Sequence, residues 1–162
     1  MRRFRQHFAL VLGGLFLACG HQPPQAPPQP VAFSHKLHAG TNEIGCGLCH
    51  AYAARSPIAG VPSFARCNGC HKFVDKDKPA IQLINKAFEE GKPPIWNRVY
   101  RVPDHVYFTH ERHVAAGLRC QQCHGPVEQM EIVQQVAPLT MGWCLECHHS
   151  RNASIDCLTC HK

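Results

Sequence analysis

Cysteine, cysteine and histidine recur in this chain at one fixed spacing, C-x-x-C-H. The five copies are Cys46-Gly-Leu-Cys49-His50, Cys67-Asn-Gly-Cys70-His71, Cys120-Gln-Gln-Cys123-His124, Cys144-Leu-Glu-Cys147-His148 and Cys157-Leu-Thr-Cys160-His161. Two thiols at this spacing can add across the two vinyl groups of one porphyrin, and the next residue then places an imidazole under the iron. The pattern implies five covalently attached haem c groups, with the ten cysteines as anchors and the five motif histidines as proximal ligands. In a chain of 162 residues with 11 cysteines and 13 histidines, chance supplies about 0.06 such matches. A zinc ribbon pairs CxxC without demanding His after each second Cys. A thioredoxin-like motif occurs once, near a βαβ pattern that is absent here. A disulfide framework explains an even cysteine count but not five adjacent histidines.

Eight further histidines are available as sixth ligands. His7 and His21 lie at the N-terminus, away from the motifs. His35, His38, His105, His110, His113 and His149 remain, one more than five irons need. Four of them form a repeat. Phe33-Ser-His35-Lys-Leu-His38 precedes Cys46, and Phe108-Thr-His110-Glu-Arg-His113 precedes Cys120. Each copy leads into two CxxCH motifs, and the second half adds a third at Cys157. A duplicated haem-packing module results, with copies over 33–73 and 108–162. The i, i+3 spacing puts both imidazoles on one helix face, from which they can lean to two neighbouring rings. Met130 and Met141 are expected to pack against porphyrin rather than ligate iron.

The N-terminus reads as a targeting segment. Arg2, Arg3 and Arg5 precede an apolar run of 11 residues, Phe8–Ala18, and then Cys19. This is a signal peptide over 1–18, too short to span a bilayer, for which about 20 residues are needed. Phe16-Leu17-Ala18-Cys19 is similar to a lipobox, which implies lipidation of Cys19, the one cysteine outside the haem motifs. Residues 19–31 then form a lipidated cysteine and a tether whose five prolines favour extended polyproline II. The expected location is a bacterial cell envelope, lipid-anchored and facing the periplasm or the exterior, at either the inner or the outer membrane.

The formal charge of +6 is no guide to partners. Three arginines leave with the leader. A ferric bis-histidine haem with ionised propionates adds about −1, so five would bring the mature protein to roughly −2. No aromatic-interleaved basic patch points to nucleic acid.

Residues 33–162 resemble the class III multihaem cytochromes c through FxHxxH and CxxCH. That resemblance implies that His35 serves the haem of His50 and His110 that of His124, while His38 and His113 reach other haems. It also implies that the second His of the Cys147-His148-His149 run reaches a neighbouring haem. His149 then completes the set and His105 is left over. Gly91–Tyr100, Val106–His110, His124–Met130 and Met141–His148 are similar to the pentahaem subunits of alternative complex III, a bacterial quinol oxidoreductase. This implies redox protein partners, among them a membrane quinol-oxidising complex. Those subunits commonly carry a transmembrane anchor, where this chain has a segment that resembles a lipobox.

The expected fold is mainly α with much irregular loop, a small multihaem cytochrome c fold whose core is built by haem over 32–162. Little β is expected, at most one short N-terminal hairpin. A helix at about 79–90 joins the halves, with Pro79 in its first turn, an Ile81, Ile84 and Phe88 stripe, and Gly91 beyond it. The function expected is electron transfer, with no catalytic constellation of other residues. The competing class is a haem-dependent reductase of a small molecule, which needs one open iron position. A lipoprotein that stores electrons or haem is a third.

Overall fold

The computed structural model describes residues 26–162. The basic leader, Cys19, His7, His21 and the start of the tether lie outside the described residues. These residues form α-helices and irregular loop, with no strand and no hairpin among them. No helix among them is long and apolar enough to cross a membrane.

The helices are α1 (Cys46–Cys49), α2 (Phe64–His71), α3 (Pro79–Glu89), α4 (His110–Ala115), α5 (Gln121–His124), α6 (Met141–Ser150) and α7 (Cys157–Cys160). A π-helical segment runs over Lys36–Thr41 and a 3-10 turn over Val127–Gln129. Each haem motif lies on or against a helical turn. That turn places the two cysteines, three apart, on one face, so both sulfurs meet one porphyrin edge.

One part of the chain has an ordinary apolar core. Pro79 occupies the first turn of α3, where its missing N–H has no partner to lose. Ile81 and Ile84, one face of α3, are buried against Phe64 of α2 and Val31. Trp96 and Cys67 close the cluster, and Asn68 donates to Asn85 at 3.1 Å across the two helices. Phe88, the third expected member of the stripe, is instead 44% exposed. Gly91, at φ +64°, turns the chain away after the last turn. Outside this cluster Ala137 is the one buried hydrophobic side chain among the described residues.

The π-helical segment packs on the 3-10 turn that follows the Cys120 motif. Lys36 N–H donates to the Met130 carbonyl at 2.9 Å. Gly40 is required there, because a Cβ at this position would collide with the Glu128 carbonyl. The contact ties the first ligand-bearing segment to the second half.

Candidate haem-binding sites

The two FxHxxH segments fold alike around their phenylalanines. Phe33 meets the His35 ring edge-on at 4.8 Å and stacks on His38 at 4.4 Å. Phe108 meets His110 edge-on at 4.9 Å and lies against His113 at 4.5 Å. In each copy the aromatic ring wedges the two imidazoles apart and fixes their directions.

Backbone carbonyls fix their protonation. His38 Nδ1 donates to Ser34 O at 2.8 Å, and His113 Nδ1 to Thr109 O at 2.7 Å, the same bond to the fourth residue back. His110 Nδ1 donates to Pro57 O at 2.8 Å. Among the motif histidines, Nδ1 donates to Gly60 O from His50 (2.6 Å), to Val74 O from His71 (3.1 Å), to Ser154 O from His148 (2.6 Å) and to His105 O from His161 (3.2 Å). A carbonyl can only accept, so the proton sits on Nδ1 and the Nε2 lone pair is free. This is the tautomer a metal-ligating imidazole needs, and the bond also raises ligand basicity.

The imidazoles come in twos. His38 faces His71 with ring centres 6.0 Å apart, His110 faces His124 at 6.4 Å, and His113 faces His148 at 6.2 Å. With metal–nitrogen bonds of about 2 Å, two rings on opposite sides of one ion have centres about 6 Å apart. His35 neighbours His50. Burial, then the charges of His50 and His38, lower its pKa to about 4, so it stays neutral and able to ligate. Its Nδ1 is buried without a partner. Burial, then His110 and His50, also lower the pKa of His124, which lies edge-on to Tyr100 at 4.4 Å.

His161 differs. His105 stacks near-parallel beside it at 5.6 Å, but the His105 carbonyl also takes the His161 Nδ1 proton. A histidine's carbonyl and ring lie within roughly 6 Å of each other, too close for the ring to reach round to the Nε2 side with an iron between. His105 is thus held behind His161. His149 is exposed at the end of α6, and among the described residues no imidazole stands opposite His161 as His38 stands opposite His71.

The ten motif cysteines are free of disulfides. Burial pushes the thiols of Cys49, Cys67, Cys120, Cys123 and Cys144 up, and thiols of adjacent motifs add to it. Among the described residues no three His, Cys, Asp or Glu side chains converge on a bare-ion site. Paired imidazoles with two sulfurs beside them fit a metal whose other four ligands come with the cofactor, which is haem.

The family comparisons agree. Residues 19–94 match the class III cytochrome c family, and residues 106–162 match cytochrome c7 and related cytochromes c. Over these two segments the chain is similar to class III-type multihaem cytochromes c. A relative, the multiheme cytochrome c subunit of menaquinone reductase from Nitratidesulfovibrio vulgaris (strain Hildenborough), is 29% identical over 83% of this chain and 77% of its own length. The architecture of the described residues, helical and without strands, suits that family, and the function is electron transfer. Sequence reasoning missed the carbonyl partners, of which only the neighbouring Ser34 and Thr109 could have been guessed. It also missed Tyr100, whose ring abuts His124 and whose hydroxyl donates to Gln134 O at 3.1 Å.

Proposed function

We propose that this cytochrome is a pentahaem electron carrier of a quinol-linked respiratory chain at the membrane surface. The observation that carries the reading is the pairing of Nε2-free imidazoles beside CxxCH cysteines. Ten cysteines would anchor five haems, and His50, His71, His124, His148 and His161 would be proximal ligands. His35, His38, His110 and His113 would close the first four sites. Each haem, when bound, supplies a one-electron ferric/ferrous couple. The chain's own residues set its level: carbonyl-bonded imidazoles raise ligand basicity, and bis-histidine ligation gives lower potentials than Met/His ligation. The protein acts as a carrier, not a catalyst, and no proton or covalent step at a side chain is needed.

The quinol link rests on the menaquinone reductase relative and on the resemblance of residues 91–148 to quinol oxidoreductase subunits. A lipid on Cys19 would hold the protein at the membrane, facing the periplasm or the cell exterior. Redox proteins, including a quinol-oxidising or quinone-reducing complex, are its partners. A haem count on the purified holoprotein tests the first claim: five per chain is expected, and fewer defeats it. Reduction of the membrane-bound holoprotein by a quinol analogue in the presence of that complex tests the second, and no reduction defeats it.

One observation favours a second reading. Among the described residues no imidazole stands against the Nε2 side of His161. His149, which follows the His148 ligand directly and is exposed, would be the residue to close this site. Without that closure the fifth haem would be five-coordinate, as a haem-dependent reductase requires. Carbon monoxide uptake by the reduced holoprotein separates the two: none is expected of a carrier closed by His149, whereas one equivalent establishes the open site.

A further inference from the structure

The geometry points to a linear order of haem sites that is not their order along the chain. The site of His71 stands at one end, followed by those of His50, His124, His148 and His161. This rests on the pentahaem reading above and adds the route.

Two ligands three residues apart on one helical face lie about 5–6 Å from each other, so the sites they serve must be neighbours. His35 neighbours His50, and His38 faces His71 at 6.0 Å. The first two sites are thus adjacent. On α4, His110 faces His124 at 6.4 Å and His113 faces His148 at 6.2 Å, so those two are adjacent as well.

The loop at 56–60 decides which sites meet between the halves. Its Gly60 carbonyl takes the His50 Nδ1 proton at 2.6 Å. Its Pro57 carbonyl accepts from both His110 N–H at 3.1 Å and His110 Nδ1 at 2.8 Å. One loop therefore holds a ligand of the His50 site and a ligand of the His124 site. The Cys46 and Cys120 thiols of the same two sites are neighbours. The His71 site lies on α2, which packs on α3, and its Cys67 and Cys70 thiols neighbour Cys49 of the His50 site. At the other end, His148 Nδ1 is held by Ser154 in the loop leading to α7. The thiols of Cys144 and Cys160 are neighbours there.

The inference makes a countable prediction for holoprotein in a redox titration that follows each haem. Replacing a histidine ligand by methionine raises the potential of its own haem, and electrostatic coupling passes the change to adjacent haems. His38→Met should move the midpoint of one other haem. His110→Met should move two, one of them the haem that His38→Met moves. If the haems followed chain order, His38→Met would move two others, one of them the haem His110→Met alters directly. Either that result or the absence of a shared neighbour overturns the order. Should these variants not assemble, Lys72→Glu and Lys162→Glu, beside the two end sites, keep the test. Each should move two haems, its own and one neighbour, with none in common. A third haem moved by Lys72→Glu, as chain order requires, or a haem common to both sets overturns the order. A haem count on the same samples separates the two claims: fewer than five defeats the pentahaem reading, while five with the wrong neighbours defeats only the route.

Discussion

The two halves of this cytochrome share their ligand chemistry but not the way they are held together. Phe33 and Phe108 wedge their histidine pairs at nearly the same separations, and the bonds from His38 to Ser34 and from His113 to Thr109 are the same bond. Around this common part the first half builds a protein core. Phe64, Ile81, Ile84 and Val31 bury one another between α2 and α3. The second half carries three haem motifs and has Ala137 as its buried hydrophobic residue. Three porphyrins, if each motif holds the one proposed for it, would leave little on a stretch of chain that short for aliphatic side chains to fill. The difference teaches that the haem-binding module tolerates either kind of interior, provided the imidazoles are aimed.

The comparison breaks most directly if haem is withheld. Chain produced without haem attachment should lose cooperative unfolding altogether, as metal-dependent domains do without metal. Hydrogen exchange should find any remaining protection at 64–89. Equal protection over 108–162 would show that the second half has a core the side-chain packing does not reveal. In holoprotein, Phe64→Ala should lower stability by roughly 3–5 kcal/mol, the usual cost of emptying a buried aromatic site. Chemical denaturation followed by circular dichroism reads it, and a loss under 1 kcal/mol would mean that haem carries the first half too. Gly40→Ala should cost about 1–3 kcal/mol by overpacking against Glu128. Its effect should appear in both halves, since Gly40 lies where they touch.

Much of this was legible in the sequence, for definite reasons. The cysteine spacing is a covalent requirement, so it survives any fold. The helix at Pro79 announced itself by a start residue and a stop residue that act locally. The Phe88 side of the stripe did not, because burial depends on what packs opposite, and periodicity carries no information about that. The π-helical form of Lys36–Thr41 was equally hidden. A π turn shifts the register by one residue and is set here by the close approach of Gly40 to Glu128, which lies in the other half. The loop at 56–60 has no motif at all. It serves two haem sites through carbonyl oxygens, which every residue possesses, so no residue type marks it.

Helix capping sharpens the comparison at the smallest scale. Thr140 Oγ1 accepts from Trp143 N–H at 3.3 Å at the start of α6, and Asp156 Oδ1 accepts from Leu158 N–H at 2.9 Å at the start of α7. α4 and α5 have no side-chain cap, and neither do the helices of the first half, where Gly45, Ser63 and Lys78 stand at the starts, so the two caps belong to the last two helices of the chain. Tertiary packing holds α2 and α3, so their ends need less. Where packing is thin, the exposed N–H groups of a short helix weigh more, and a cap is worth about 1 kcal/mol. Thr140→Ala and Asp156→Ala should each cost about that much in holoprotein. Ser63→Ala, which removes a hydroxyl that caps nothing, should stay within about 0.5 kcal/mol. Denaturation midpoints of the three variants provide the measurement. If Ser63→Ala proved as costly as Thr140→Ala, the halves would not differ in what holds their helices, and the contrast would reduce to the α2 and α3 cluster alone.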